Sequence, residues 1–343
     1  RDLQRRAGDG SRPMKFLPVL ALLVSLIPTT GMAGAQGGTI VPGAVWLDNR
    51  GKPIQAHGGG VLKYGDTWYW FGEDRSRDLP ANERAVACYA SRDLVNWEYR
   101  KRVLTLWHVE GVNGTPVVER PKVYRNAKTG KFVMYMHIDS SSYGTASVGV
   151  ATCDTVDGNY RFLRSFQPLG MESRDIGQFV DDDGSAYLIF ESRPTGGFVI
   201  ARLSDDFLNV DRQVCLIPER LEGGAIVHYA GRYYVIGSRL TGWDPNPNVY
   251  ATADHLEGPW SEFADIAPPE SNTYGSQSTF LLTVTCSHST AVIFMGDIWK
   301  RKQLWDSRYL WMPLEIDGGG MRLPAPRPWS IDVATGEVSF PGK

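Results

Sequence analysis

Four things are scarce in this sequence, and each scarcity narrows the class of protein. Paired cysteines are missing: Cys88, Cys153, Cys215 and Cys286 stand singly, with no C-x-x-C among them. That spacing argues against a zinc site. Four cysteines allow three disulfide pairings, and four free thiols remain equally open. Net charge is almost absent, at −2, which gives no reason to expect nucleic acid or an anionic membrane as partner. Long apolar runs are limited to Phe16–Pro28 (FLPVLALLVSLIP), too short to span a bilayer comfortably. From Val41 onward helical periodicity is also nearly missing, which directs the reading towards strands.

What remains is an aromatic-rich chain of 343 residues, with 11 Trp and 15 Tyr. Flat, β-favouring side chains suit packing between sheets, and flat rings also suit sugars. Lys15 followed by the apolar run and then Ala33-Gly34-Ala35 reads as a secretory signal at 14–35, cleaved after Ala35. Residues 1–13 precede it and read as an upstream or non-native extension. Removing 1–35 takes away five basic and two acidic residues, leaving 31 against 36, a net −5. The mature part, 36–343, is expected to form one domain outside the cytoplasm, extracellular or periplasmic. Asn113-Gly114-Thr115 is a glycosylation sequon.

The chain repeats itself. Five hairpins align: 58–73, 118–138, 174–192, 221–238 and 276–297. Each has an apolar strand, a polar or glycine turn, and a strand rich in Tyr, Phe, Val and Ile. After each comes a second pair of short segments, at 88–100, 150–163, 200–213, 249–263 and 308–323. Periods near fifty residues point to propellers, so the expected fold is all-β, a five-bladed β-propeller of four strands per blade. A β-sandwich would need ten alternating matches to arise by coincidence.

In a propeller the first residues of every inner strand surround one mouth of the axis. Those positions hold His57, Glu119, Asp175, Glu222 and Gln277. Converging acids repel, so burial and repulsion should keep at least one protonated near neutrality. Glycosidic cleavage needs such a protonated carboxyl and a second group that activates water. Glu222, followed by Gly223-Gly224, is the expected acid; a solvated turn glutamate is the plainer alternative.

The stretches IQAHGGGVLKYGDTWYWFGE, VVERPKV, RDIGQFVDDDG, LEGGAIVHY, YGSQSTF and GDIWKRKQLWDSRYLWMPL resemble glycoside hydrolase family 43, and within it the exo-β-1,3-galactanase branch. The resemblance runs from about Ile54 to Leu314. It implies a propeller with inverting chemistry, Glu222 as general acid, and Glu119 as the second-blade carboxylate that tunes the acid and orients the sugar. An ion pair between Glu119 and Arg120 is the competing role for Glu119. The wider family carries a first-blade Asp as base, whereas this chain has Ala56-His57-Gly58-Gly59. The branch shares that loss, and there a fifth-blade Gln, here Gln277, is proposed to hold the attacking water. An amide is a very weak base. Gln277 would therefore position water or act through its imidic-acid tautomer, with Asp175 ranked second. The resemblance further implies Glu73, Tyr143, Asp175 and Thr241 as holders of the terminal sugar.

Trp243 and Trp299 are candidate sugar platforms, although a propeller tryptophan more often packs between blades. His57 is expected to hydrogen-bond within the channel. Asp181-Asp182-Asp183-Gly184 resembles part of a calcium loop but fits a hairpin turn better. No metal and no cofactor are expected. The expected partner is a polysaccharide or oligosaccharide, β-1,3-galactan or arabinogalactan, met by a monomer away from nucleic acid and membrane. No separate carbohydrate-binding module is expected between the fifth blade and Lys343. Two alternatives stay open: the same fold acting as an arabinofuranosidase, xylosidase or galactofuranosidase, and a propeller that binds glycans without cutting them.

Overall fold

A computed structural model describes residues 38–342. The signal segment, its cleavage point and the upstream extension lie outside the described residues. Among those described, no helix is long and apolar enough to cross a membrane.

Five antiparallel sheets follow one another in chain order. Blade 1 is β1 (His57–Tyr64), β2 (Thr67–Asp74), β3 (Arg84–Ser91) and β4 (Glu98–Leu106). Blade 2 is β5 (Val117–Arg125), β6 (Phe132–Asp139), β7 (Ser147–Cys153) and β8 (Arg161–Phe166). Blade 3 is β9 (Ile176–Val180), β10 (Ala186–Ser192), β11 (Gly197–Leu203) and β12 (Val210–Ile217). Blade 4 is β13 (Leu221–Tyr229), β14 (Arg232–Arg239), β15 (Val249–Ala253) and the two-residue β16 (Ala264–Asp265). Blade 5 has β17 (Gln277–Thr285), β18 (Thr290–Ile298) and β19 (Arg308–Pro313).

The ring closes through the inner strands: β1 packs beside β5, β5 beside β9, β9 beside β13, β13 beside β17, and β17 beside β1. Apolar layers fill the spaces between sheets, each built from the facing sides of neighbouring blades. Blades 4, 5 and 1 share one larger layer. At its centre Trp70 lies 4.7 Å from Trp311, with Trp46 and Trp97 edge-on to the pair. Truncating one such tryptophan to alanine would cost about 3–5 kcal/mol. The five-bladed, all-β expectation therefore holds.

Two outer segments differ from the expectation. In blade 4 the aromatic stretch after His255 forms no ladder, because Gly258-Pro259 interrupts it; Trp260 and Phe263 instead pack against the layer between blades 3 and 4. In blade 5 the chain leaves the sheet at Pro313, and β20 (Glu315–Asp317) pairs only with β21 (Gly320–Arg322). Among the described residues, blade 5 thus has three strands. The N–H of Gly43, from the segment ahead of β1, donates to the Tyr309 carbonyl on β19 at 2.8 Å.

All four cysteines are free. Asp181–Gly184 forms the tight turn between β9 and β10, closed by the Gly184 N–H on the Asp181 carbonyl at 2.9 Å. The turn reading thus holds for that stretch.

Candidate active site

One polar residue at the head of each inner strand faces a partner near the end of the second strand, in every blade. His57 opposes Glu73, Glu119 opposes His137, Glu222 opposes Ser238, and Gln277 opposes Asp297. In blade 3 the carbonyl of Asp175 accepts the N–H of Glu191 at 3.0 Å. Two stacked rings of polar residues therefore surround the axis.

In blades 1, 2 and 4 the inner strand gains one extra residue just past the ring position. The bulge residues are Gly58, Arg120 and Gly223, with φ of 57°, 55° and 62°. A bulge turns the strand and re-aims the side chain before it. At Gly223 a Cβ would sit 2.5 Å from the Ser278 carbonyl oxygen. Gly223 thus admits the backbone of blade 5, whereas a side chain at Gly224 would run into the Phe198 ring of blade 3. Arg120 holds a backbone conformation that costs a non-glycine residue about 1–3 kcal/mol, the kind of strain concentrated at functional sites.

Above the rings lies a cavity of about 260 Å3. Glu73, Glu119, Tyr143, Asp175, Glu222, Trp243, Gln277 and Trp299 line it, eight of the ten residues singled out from the sequence. The other two stand behind its wall. His57 is fully buried, with Nδ1 3.0 Å from Asp297 Oδ1 and its ring stacked on Tyr309. That is the channel role expected of it, and it does not put the imidazole against a ligand. Thr241 is not among the lining residues. Its hydroxyl donates to the Asp244 carbonyl at 2.6 Å and accepts from Asn246 at 2.7 Å, so the loop consumes it, and its neighbour Gly242 lines the cavity instead. A wider cavity, about 780 Å3, opens at the opposite mouth and contains none of the ten.

Glu222 is buried and short of cations. Burial, then the charges of Asp175 and Glu191, push its carboxyl up to about 8, against the partial relief of Arg120 and Arg193. It is therefore protonated at neutral pH. Gln277 Nε2 donates to Glu222 Oε1 at 2.9 Å, which makes Oε1 an acceptor and places the proton on Oε2.

Glu119 has the opposite setting. Burial would raise it, but His137, Arg75 and the Tyr143 hydroxyl together hold it down to about 2. Tyr143 donates to Glu119 at 2.9 Å, Arg75 reaches it at 3.2 Å, and His137 Nδ1 lies 3.4 Å away as an ion-pair contact. Burial lowers His137, yet Asp139 at 3.0 Å and Glu119 outweigh it and lift the imidazole to about 9. The suggested Glu119–Arg120 ion pair is not what forms. Arg120 reaches across the axis to Asp175 at 2.9 Å and Gln277 Oε1 at 2.5 Å, since its left-handed backbone turns the side chain away from Glu119.

Gln277 is held on every side. Oε1 accepts from Arg120 and from Trp299 Nε1 at 2.9 Å, and Nε2 also donates to Ser238 at 3.0 Å. Arg and Trp can only donate, so they fix the amide's orientation. Two donors on Oε1 also leave no in-plane position for a proton there, which disfavours the imidic-acid tautomer. Asp175 makes its contacts through Oδ2, to Gly223 N–H at 3.0 Å and to Arg120.

Sequence reasoning passed over Arg75, Arg120, His137, Arg174, Glu191 and Arg193, all on the cavity wall. A signal for four of the six was present. Glu73-x-Arg75 and Glu191-x-Arg193 are the same E-x-R at the same place in two blades, and each Arg Nε donates to its own Glu, at 2.9 and 2.6 Å. His137 likewise occupies the second-strand ring position.

The profile of the glycosyl hydrolases family 43 matches residues 56–224. The exo-β-1,3-galactanase of Phanerochaete chrysosporium, solved with β-1,3-galactotriose, superposes with a TM-score of 0.82. It is 42% identical, over 89% of this chain and 71% of that one. An exo-β-1,3-galactanase from Clostridium thermocellum gives 0.80 at 35% identity, over 88% and 68%. Among curated proteins, an extracellular exo-α-(1→5)-L-arabinofuranosidase of Cellvibrio japonicus is 24% identical over 169 residues, and the match spans 45% of either protein. The chain belongs to glycoside hydrolase family 43, in the branch of the exo-β-1,3-galactanases.

Proposed function

We propose that this family 43 glycoside hydrolase is a secreted, exo-acting, inverting enzyme that releases galactose from β-1,3-galactan. The observation that carries the reading is the pair of carboxyls in one small cavity, Glu222 neutral and Glu119 ionised. One can donate a proton while the other cannot, which is the division of labour glycoside cleavage needs. The cavity volume is below the range of roughly 300–1,000 Å3 usual for larger ligands. It suits one terminal sugar ring, as exo action requires.

In this mechanism Glu222 Oε2 protonates the leaving oxygen. Glu119, charged and braced by Arg75, His137 and Tyr143, accepts hydroxyls of the terminal sugar and stabilises positive charge growing at its anomeric carbon. Gln277 positions the attacking water. Its 2.9 Å contact with Glu222 keeps the amide beside the acid. Trp243 and Trp299, edge to face at 5.4 Å, offer apolar surface at the cavity rim. Secretion is supported by the apolar segment followed by a small-residue site, and by the extracellular arabinofuranosidase relative.

A panel of β-1,3-galactan, arabinan, arabinoxylan and nitrophenyl furanosides, assayed for released monosaccharide, tests the reading. Galactose from β-1,3-galactan alone supports it, and arabinose release without galactose would replace the substrate. Proton NMR of the first product should show an inverted anomeric centre; retention overturns the water-mediated scheme.

A further inference from the structure

Glu191 is buried on the cavity wall, only 3% exposed, in the second ring beside Asp175. Its Oε1 accepts from Arg193 Nε at 2.6 Å. Its Oε2 is buried with no hydrogen-bond partner. A buried acceptor without a donor costs about 1–3 kcal/mol, so such a group in a binding cavity calls for a ligand that supplies one. Neighbouring cations do not fill the need. Arg193 Nε bonds the other oxygen, and Arg174 bonds Glu172 at 2.7 Å and the Tyr143 carbonyl at 3.1 Å through its terminal nitrogens, its Nε being likewise buried without a partner.

Glu73, at the matching place in blade 1, is fully paired. Both glutamates are next to last in the second strand of their blade and both are followed two residues later by arginine. In Glu73 both oxygens are occupied, one by Arg75 and the other by the Arg120 backbone N–H at 3.0 Å. In Glu191 only one is. No backbone N–H reaches its second oxygen among the described residues.

Resting on the glycosidase reading, we propose that Glu191 is a substrate-binding residue whose Oε2 accepts a hydrogen bond from one hydroxyl of the bound sugar. Arg193 fixes the carboxyl through Oε1 and leaves the second oxygen oriented for that hydroxyl. The contact is a specificity determinant, because a site built to receive a hydroxyl rejects the analogue that lacks it. The charges facing Glu191 from neighbouring elements are Asp175, Arg174, Arg193 and, across the blade boundary, Glu222.

The test is a cycle between Glu191→Ala and a set of monodeoxy β-1,3-galactobiosides, read as kcat/KM for galactose release. In the wild-type enzyme one deoxy position should cost roughly 10- to 100-fold, the range for a hydrogen bond to a charged group. In Glu191→Ala that same position should cost less than about threefold, while the penalties at the other positions persist. Glu191→Gln, which keeps an acceptor for Arg193, should raise KM more than it lowers kcat. The proposal is overturned if every deoxy penalty is the same in wild type and Glu191→Ala. It is equally overturned if both variants merely lower thermal stability with kinetics unchanged. Failure of wild type to cleave galactobiose at all would indict the substrate instead, and the cycle would then be run on deoxy forms of whichever glycoside the panel identifies.

Discussion

Glu119 and Glu222 occupy the same position in blades 2 and 4, each at the head of an inner strand and each followed by a left-handed bulge residue. One carboxyl is held down to about 2 and the other pushed up to about 8. The repeat is therefore not the cause of the difference. Glu119 faces an imidazolium across the strand pair and an arginine from blade 1, whereas Glu222 faces a serine and looks onto Asp175 and Glu191. Identical backbone placement gives one permanent anion and one proton donor, because the residues opposite and alongside set the local field. The fold supplies positions; the cross-strand partners assign the chemistry.

The contrast can be broken most severely at the proton itself. Glu222→Gln keeps the shape and removes the acid, so kcat/KM should fall by about 10²–10⁴-fold with galactose binding still measurable by calorimetry. Retained turnover would place the acid elsewhere. In the wild-type enzyme the same group should impose a basic limb, with kcat/KM declining as pH rises through about 8.

Next in size is the water-handling side of the cavity. Gln277→Ala should lose about 100-fold or more in kcat, and Asp175→Asn markedly less, if the amide holds the nucleophile. The reverse ranking in steady-state assays would pass that role to Asp175.

The Glu119 side can be broken at its cation. His137→Gln leaves Glu119 and Asp139 without the imidazolium between them, at a cost of about 3–5 kcal/mol by urea unfolding. His137 is raised in the folded protein, so its contribution is complete below its ordinary pKa of 6.5 and disappears as pH climbs through about 9. The gap between wild type and variant should therefore be widest near pH 6 and narrow above pH 9. A gap independent of pH would assign His137 a packing role only.

The smallest expected effect sharpens the Glu222 side. A carboxyl raised on folding binds more protons folded than unfolded, so stability falls as pH rises from its ordinary 4.5 towards about 8. Glu222→Gln abolishes that loss. It should exceed wild type in unfolding free energy by roughly 1–3 kcal/mol at pH 8.5, and by little at pH 5, as read by urea unfolding.

Much of the site was legible in the primary structure because it recurs. Aligning five hairpins located Glu119, Asp175, Glu222 and Gln277 as a ring, and continuing the alignment onto the second strands would have added His137 and Glu191. Arg120 was legible only as a neighbour of Glu119. Its left-handed φ, which turns the guanidinium to Asp175 and Gln277, has no marker in a stretch reading Glu-Arg-Pro. Thr241 followed from resemblance, and the loop's own hydrogen bonds took its hydroxyl.

The order of residues by itself determined the number of blades, the phase of their strands and which side chains head the axis, because strand alternation and turn chemistry are local and repeat with the chain. Tertiary structure alone decided which carboxyl is charged, which arginine crosses the axis and which acceptor goes unpaired. Proton affinity and hydrogen-bond satisfaction depend on distances between groups far apart in sequence, and only the closed ring fixes those distances.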